Sequence, residues 1–133
     1  MKYMLLMHHG HKGINAQGRP VPPMTEWDPD DIKARLTFMG QMDAELAASG
    51  ERVDGQGLAG PEQAKIVRAQ AGGPPAITDG PFPESKEFLA GYWIVDVDSE
   101  ERAIEIAAQA SAAPGPGGVP LSIPFEVRQV MTP

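Results

Sequence analysis

The chain contains no cysteine. Disulfides, thiolate metal sites, iron–sulfur clusters and cysteine nucleophiles are therefore excluded, and the fold needs no oxidising compartment. Long hydrophobic runs are missing too. The opening Met1-Lys2-Tyr3-Met4-Leu5-Leu6-Met7-His8-His9 carries one positive charge and a short apolar run, less than a signal-peptide core and far less than a membrane span. A cytoplasmic location is expected, with no membrane partner. Positive charge is scarce: eleven Lys and Arg against eighteen Asp and Glu leave a net charge of −7. Such a surface repels phosphate backbones, and the basic residues are scattered, so no nucleic-acid partner is expected. No GxxxxGK[ST] or GxGxxG pattern joins a strand to a helix, and Ser85, Ser99 and Ser122 lack a GxSxG setting. No nucleotide or other cofactor is expected, nor a serine hydrolase.

What remains is an ordinary globular composition. The 133 residues, 41% of them hydrophobic, suit a single domain spanning 1–133. Fifteen Gly and fourteen Pro fall between apolar segments and read as loops within a folded domain. Residues 2–8 read as a buried first strand, followed by a long loop over about 10–27 with Pro20, Pro22 and Pro23, a candidate lid. Asp28 as cap, Pro29 at the first position, and Asp30 and Asp31 at the positive end of the dipole predict a helix over about 29–49, closed by Gly50. Its apolar positions are Ile32, Leu36, Met39, Met42 and Leu46. Short strands are expected at 51–58 and 64–69, with Ala76-Ile77-Thr78 as a brief hairpin partner after the Gly72-Gly73-Pro74-Pro75 turn. Phe88 to Val97 reads as the central strand, nearly continuous in apolar residues, as expected where both faces are covered.

A second helix begins near Asp98-Ser99-Glu100-Glu101. Asp98 and Glu101 make a capping-box-like pair, with Ser99 the competing cap, and Ala103, Ile104, Ile106, Ala107 and Ala110 form the apolar side. The last strand is placed at Ser122 to Met131, with Ile123, Phe125, Val127 and the stem of Gln129 inward and Pro124 favouring an edge or early position. The order β-α-β, hairpin, β-α-β suits an α+β ferredoxin-like sandwich with both helices on one face of an antiparallel sheet. The bare second face predicts a symmetric homodimer.

The densest chemistry lies in Asp79-Gly80-Pro81-Phe82-Pro83-Glu84-Ser85-Lys86-Glu87, just before the central strand. Together with Gly91-Tyr92-Trp93-Ile94-Val95-Asp96-Val97, the opening Met1 to Leu6 and the closing Phe125-Glu126-Val127-Arg128-Gln129-Val130, it resembles the YCII-related family, in particular its branch named for a DGPF-[A/P]-E-[T/S]-K-E motif. The resemblance covers most of the chain. It implies a dimeric α+β barrel in which two sheets face each other around a cleft. It also implies a pocket with a histidine near the first helix and an aspartate, but residues 29–49 contain no histidine, so that pair cannot be carried over to this chain.

Catalytic candidates are therefore drawn from the motif and from the histidines. Asp79 and Glu87 are acid/base candidates, with Lys86 to tune them or to stabilise developing negative charge; Glu84, between Pro83 and Ser85, should face solvent. Gly80, Pro81, Phe82 and Tyr92 are candidate ligand-lining residues. The plain structural alternative makes Asp79-Gly80 a turn, the prolines stiffeners, Phe82 an anchor and Lys86 a surface ion-pair partner. All three histidines, His8, His9 and His11, cluster at the end of the first strand. If that strand continues, His9 and His11 share a face and His8 takes the other, so His9 or His11 is a candidate base; a metal between them would need a third ligand. Met39, Met42, Tyr92 and Trp93 read first as core or interface residues. Two functions follow as expectations: a small cleft enzyme doing proton-transfer chemistry on a small polar molecule, or a non-catalytic ligand-binding or regulatory module using the same cleft.

Overall fold

The computed structural model describes residues 1–10, 21–80 and 87–132. Its strands are β1 (Lys2–Gly10), β2 (Arg52–Gly57), β3 (Lys65–Arg68), β4 (Ala76–Asp79), β5 (Glu87–Asp96) and β6 (Phe125–Gln129). The helices are α1 (Pro29–Ala48), between β1 and β2, and α2 (Glu100–Ser111), between β5 and β6. One sheet has the order β2-β5-β1-β6 with every neighbour antiparallel, and β3 and β4 form a separate two-stranded sheet. The fold is thus α+β, two helices on an antiparallel sheet. Among the described residues no helix is long and apolar enough to cross a membrane.

Local chemistry explains most boundaries. The Asp28 side chain accepts from the Asp30 N–H at 2.9 Å, Pro29 opens α1, and Gly50 leaves it with φ +79°. At α2 the cap is Ser99 rather than Asp98: its Oγ accepts from the Arg102 N–H at 3.2 Å. With the helix starting at Glu100, the N3 donor is Arg102, and Asp98 stands one residue too early for a capping box. β6 is shorter than the expected Ser122–Met131 because Ser122 takes φ +52° and Pro124 has no N–H to give the ladder. It lies at the sheet edge, and Gln129 is exposed instead of inward.

Alternation builds the core. Tyr3 and Leu5 of β1 and Trp93 and Val95 of β5, with Val97 just beyond, point to the helix side, where they meet Met42 and Leu46 of α1 and Ala103, Ile106, Ala107 and Ala110 of α2. The alanines let α2 lie close on the sheet. Burying Leu5, Val95 and Ile106 stabilises the fold by roughly 1.5–3 kcal/mol each. Two expected core positions face outward, Leu36 and Ile104. On α1 the stripe counts back from Leu46 through Met42 and Met39 to position 35, so Arg35 takes the slot and Leu36 is rotated off it. On the second sheet face Met4, Leu6, Tyr92 and Ile94 are only half-buried, so β5 is covered by helices on one side, not both as expected.

Trp93 shows how closely β2 and β5 approach. Its indole N–H donates to Asp43 Oδ1 at 2.9 Å, which also accepts from Arg52 Nε at 2.7 Å, and these donors hold the Asp43 carboxyl below its ordinary range. Gly55 stands opposite Trp93 in the ladder, and a Cβ there would overlap the ring at Cδ1 and Nε1. Gly55→Ala should therefore lower stability by about 1–3 kcal/mol in urea denaturation. An unchanged midpoint would mean that the indole can step aside at no cost.

Candidate functional site

The site grows out of an irregularity in the central ladder. β1 and β5 pair in one register from Lys2↔Asp96 to Met7↔Gly91 and then shift, so that His8 faces Leu89, His9 faces Phe88 and Gly10 faces Glu87. Ala90 is the extra residue, a bulge on β5. Because side chains alternate with period two, this one-residue slip exchanges the faces of everything on β5 before Ala90. Buried positions accordingly change from Gly91, Trp93 and Val95 to the half-buried Phe88, flanked by exposed Glu87 and Leu89. The bulge brings Phe88 to the helix side, beside His9, with ring centroids 5.8 Å apart in an edge-on arrangement at 67°.

Arg35 of α1 is 5% exposed. Its Nη1 donates to the carbonyls of Ala113 and Pro114, both at 3.4 Å. These are long bonds, and among the described residues no carboxylate pairs with it. Removing a guanidinium from water costs several kcal/mol unless a counter-charge or good hydrogen bonds offset it, and two stretched carbonyl contacts do little of that. The same helix turn holds the chain from the other end: Asp31 Oδ2 accepts from the Gly117 N–H at 3.1 Å. His9 is the second strained group, since its Nε2 is buried without a hydrogen-bond partner.

The two groups act on each other. Burial pulls the His9 imidazole below its ordinary 6.5, and the positive Arg35 pulls it further the same way. Burial also lowers Arg35, which stays charged at any working pH. The arrangement is an imidazole whose Nε2 has no partner among the described residues, in the field of a cation that no described carboxylate pairs with. It can take a proton from a bound molecule and hold negative charge formed next to it.

Sequence reasoning named His9 but missed Arg35. The available signal was spacing, because an arginine at the 35, 39, 42, 46 positions sits where the stripe calls for an apolar residue. The other candidates lie apart from this pair. Asp79 ends β4, exposed, and makes a surface ion pair with Lys65, its register partner on β3. The Gly80 N–H donates to Ala64 O at 2.8 Å, closing the same hairpin. Glu87 is exposed, and alternation puts it with Leu89 on the face away from His9. Tyr92 donates from its hydroxyl to Asp54 Oδ2 at 2.9 Å on that same far face. His8 also lies there, with Nε2 3.1 Å from Glu126 Oε1, so His8 and His9 do not converge on one ion. Among the described residues no three His, Asp or Glu side chains group as a metal site. His11, Pro81, Phe82, Glu84 and Lys86 lie outside the described residues. A shallow depression of about 440 Å³ on the outside of α1, lined by Lys33, Thr37, Phe38, Gln41 and Pro114, is open to solvent and contains neither His9 nor Arg35.

A YCII-related domain model matches residues 1–119, all of the fold up to the approach to β6. The chain belongs to the YCII-related domain family. No curated protein matches it.

The electrostatic coupling can be measured directly. The His9 ring resonance should titrate below 6.5 in the folded protein. Arg35→Gln should move that midpoint upward without restoring it fully, since burial is the larger cause. A midpoint at or above 6.5 in the unaltered protein would remove the basis for the site.

Proposed function

We propose that this protein binds a small polar molecule between the sheet and α1, and that His9 moves a proton on it. The observation that carries this reading is the buried Nε2 of His9, without a hydrogen-bond partner among the described residues, in the field of a buried arginine that no described carboxylate pairs with. With the proton on Nδ1, Nε2 has a free lone pair. It takes a proton from the bound molecule and becomes imidazolium, leaving the electron pair on the molecule as an anion that Arg35 stabilises. If the imidazolium proton is replaced from solvent before return to the same carbon, the result is hydrogen exchange, and return to another atom gives isomerisation.

In this reading the chain is a ferredoxin-like protomer of a dimeric α+β barrel, in the branch of its family named for the DGPF motif. The strand order β2-β5-β1-β6 with both helices on one face supports the first point, and the run Asp79 to Glu87 supports the last. The half-buried Met4, Leu6, Tyr92 and Ile94 support the pairing, since a second copy would cover them. Asp79 gives up the leading catalytic role to His9, because it is exposed and already paired on the hairpin.

Light scattering should give twice the 14.2 kDa of one chain, and a monomer mass would sink the barrel. For the chemistry, the protein is incubated in deuterium oxide with neutral and charged carbonyl compounds, dihydroxyacetone and pyruvate among them, and loss of the proton next to the carbonyl is followed by NMR. Exchange that His9→Gln reduces by about 100-fold or more is expected. Binding with no exchange would instead make the protein a ligand-binding module, the alternative use of the same cleft.

A further inference from the structure

We infer that a second copy of this chain seats on the sheet face away from the helices, about a twofold axis running along the strands between β5 and β1, with Arg128 of each copy paired to the partner's Asp54. This rests on the dimer proposed above and names how its two faces meet. The register supplies the geometry. Asp54 of β2 lies opposite Ile94 of β5, Ile94 opposite Met4 of β1, and Met4 opposite Arg128 of β6, so these residues form one row across the sheet. The next row on the same face runs Gln56, Tyr92, Leu6, Glu126. Each row is half-buried and apolar in its middle, Tyr92 by its ring, and polar at both ends. In the first row the two ends carry opposite charge.

Within one chain these charges stay apart. Three strand spacings, roughly 14 Å, separate Asp54 from Arg128, with Ile94 and Met4 between them. The Tyr92 hydroxyl and the Gly55 N–H donate to Asp54 at 2.9 and 2.8 Å, which fixes its carboxylate on this face. Rotation about an axis along the strands keeps each row at its own height and reverses its order, so β2 comes to the partner's β6 and β5 to the partner's β1. Arg128 then meets the partner's Asp54, Met4 the partner's Ile94 and Leu6 the partner's Tyr92. Glu126 meets the partner's Gln56, whose carboxamide donates to it. Farther along, Lys2 and Asp96 are register partners on the same face, and the same operation sets Lys2 against the partner's Asp96.

An axis across the strands is the competing arrangement. It stacks β2 on the partner's β2 and β6 on the partner's β6. On this face β2 presents Asp54 and Gln56, so the Asp54 carboxylate meets no cation there, and Arg128 is offered Glu126, which already lies 3.1 Å from His8 Nε2. Charge complementarity therefore favours the axis along the strands. Packed sheets stand roughly 10 Å apart with strands within about 30° of each other, and the length of an arginine side chain absorbs the offset that this angle produces at the sheet edges.

The test begins with the unaltered chain, whose mass by light scattering decides the dimer itself. Asp54→Arg and Arg128→Asp are then each followed over a dilution series. Either one alone sets like charges against each other at both symmetry-related places and should raise the dimer dissociation constant at least about tenfold. An equimolar mixture of the two restores both ion pairs in a heterodimer and should associate about as tightly as the unaltered chain. Because Asp54 also holds Tyr92 and Gly55, a second pair of variants covers the case in which Asp54→Arg does not fold. The chain has no cysteine, so Gln56→Cys and Glu126→Cys each place a single thiol at an exposed position. A short bis-maleimide should link the mixture of these two and neither variant alone. Links within either variant alone, Asp54→Arg dimerising like the unaltered chain, or a charge-reversed mixture no tighter than its parts overturns this arrangement and leaves the dimer standing. A monomeric unaltered chain removes the dimer and this inference together.

Discussion

The antiparallel pairing of Lys2–Gly10 with Glu87–Asp96 carries the rest of this structure. These two strands fill the middle of the sheet, so their alternation decides which residues meet the helices and which are left outside. For most of its length the pairing builds a dry core from Tyr3, Leu5, Trp93 and Val95. At Ala90 the register slips by one, and beyond it the same two strands place a histidine and a phenylalanine together on the helix side. Core and candidate site are thus two ends of one ladder, and a single bulge separates them.

The polar side chains that flank the helix side of the sheet fall into two kinds. Trp93, Asp43 and Arg52 satisfy one another, as do Arg102 and Glu51, whose carboxyl is drawn from 4.5 down to about 2 chiefly by hydrogen bonds from Arg102. These groups tie α1 to the β2–β5 pair and α2 to the chain just after α1. His9 Nε2 and Arg35 are different, because each is buried with bonding capacity that no described residue takes up. A fold tolerates such groups at a cost of a few kcal/mol against a total stability of roughly 5–15. His9 stands just past the bulge and Arg35 against the 113–118 turn, so neither is placed where it adds to the stability of the core.

The parts of the fold legible in the sequence are those set by neighbouring residues. Asp28-Pro29 starts α1 and Gly50 stops it, Trp93 and Val95 mark the middle strand, and Pro124 sends β6 to an edge. Errors came where two local readings competed. Leu36 suits the helix stripe by its apolar side chain, yet the buried slot falls to Arg35, and Asp98 with Glu101 matches a capping box, yet Ser99 is the cap. The motif Asp79 to Glu87 was dense in acids and bases, yet density along the chain is no guide to convergence in space. Asp79 ends on a hairpin, and Glu87 turns to the far face.

Local sequence determined the elements, their order and the family to which the chain belongs, since caps, turns and period-two or helical spacing act over a few residues. It also put the histidines at the end of the first strand. Only the tertiary structure decided that His9 and not Asp79 has a buried ring nitrogen, because His9 meets Phe88 on another strand and the field of Arg35 on a helix, which itself donates to the carbonyls of Ala113 and Pro114. Burial, field and unmet hydrogen-bonding capacity are properties of what surrounds a group. For His9 those surroundings come from two segments far apart in the chain, and a one-residue slip in register brings Phe88 to its side of the sheet.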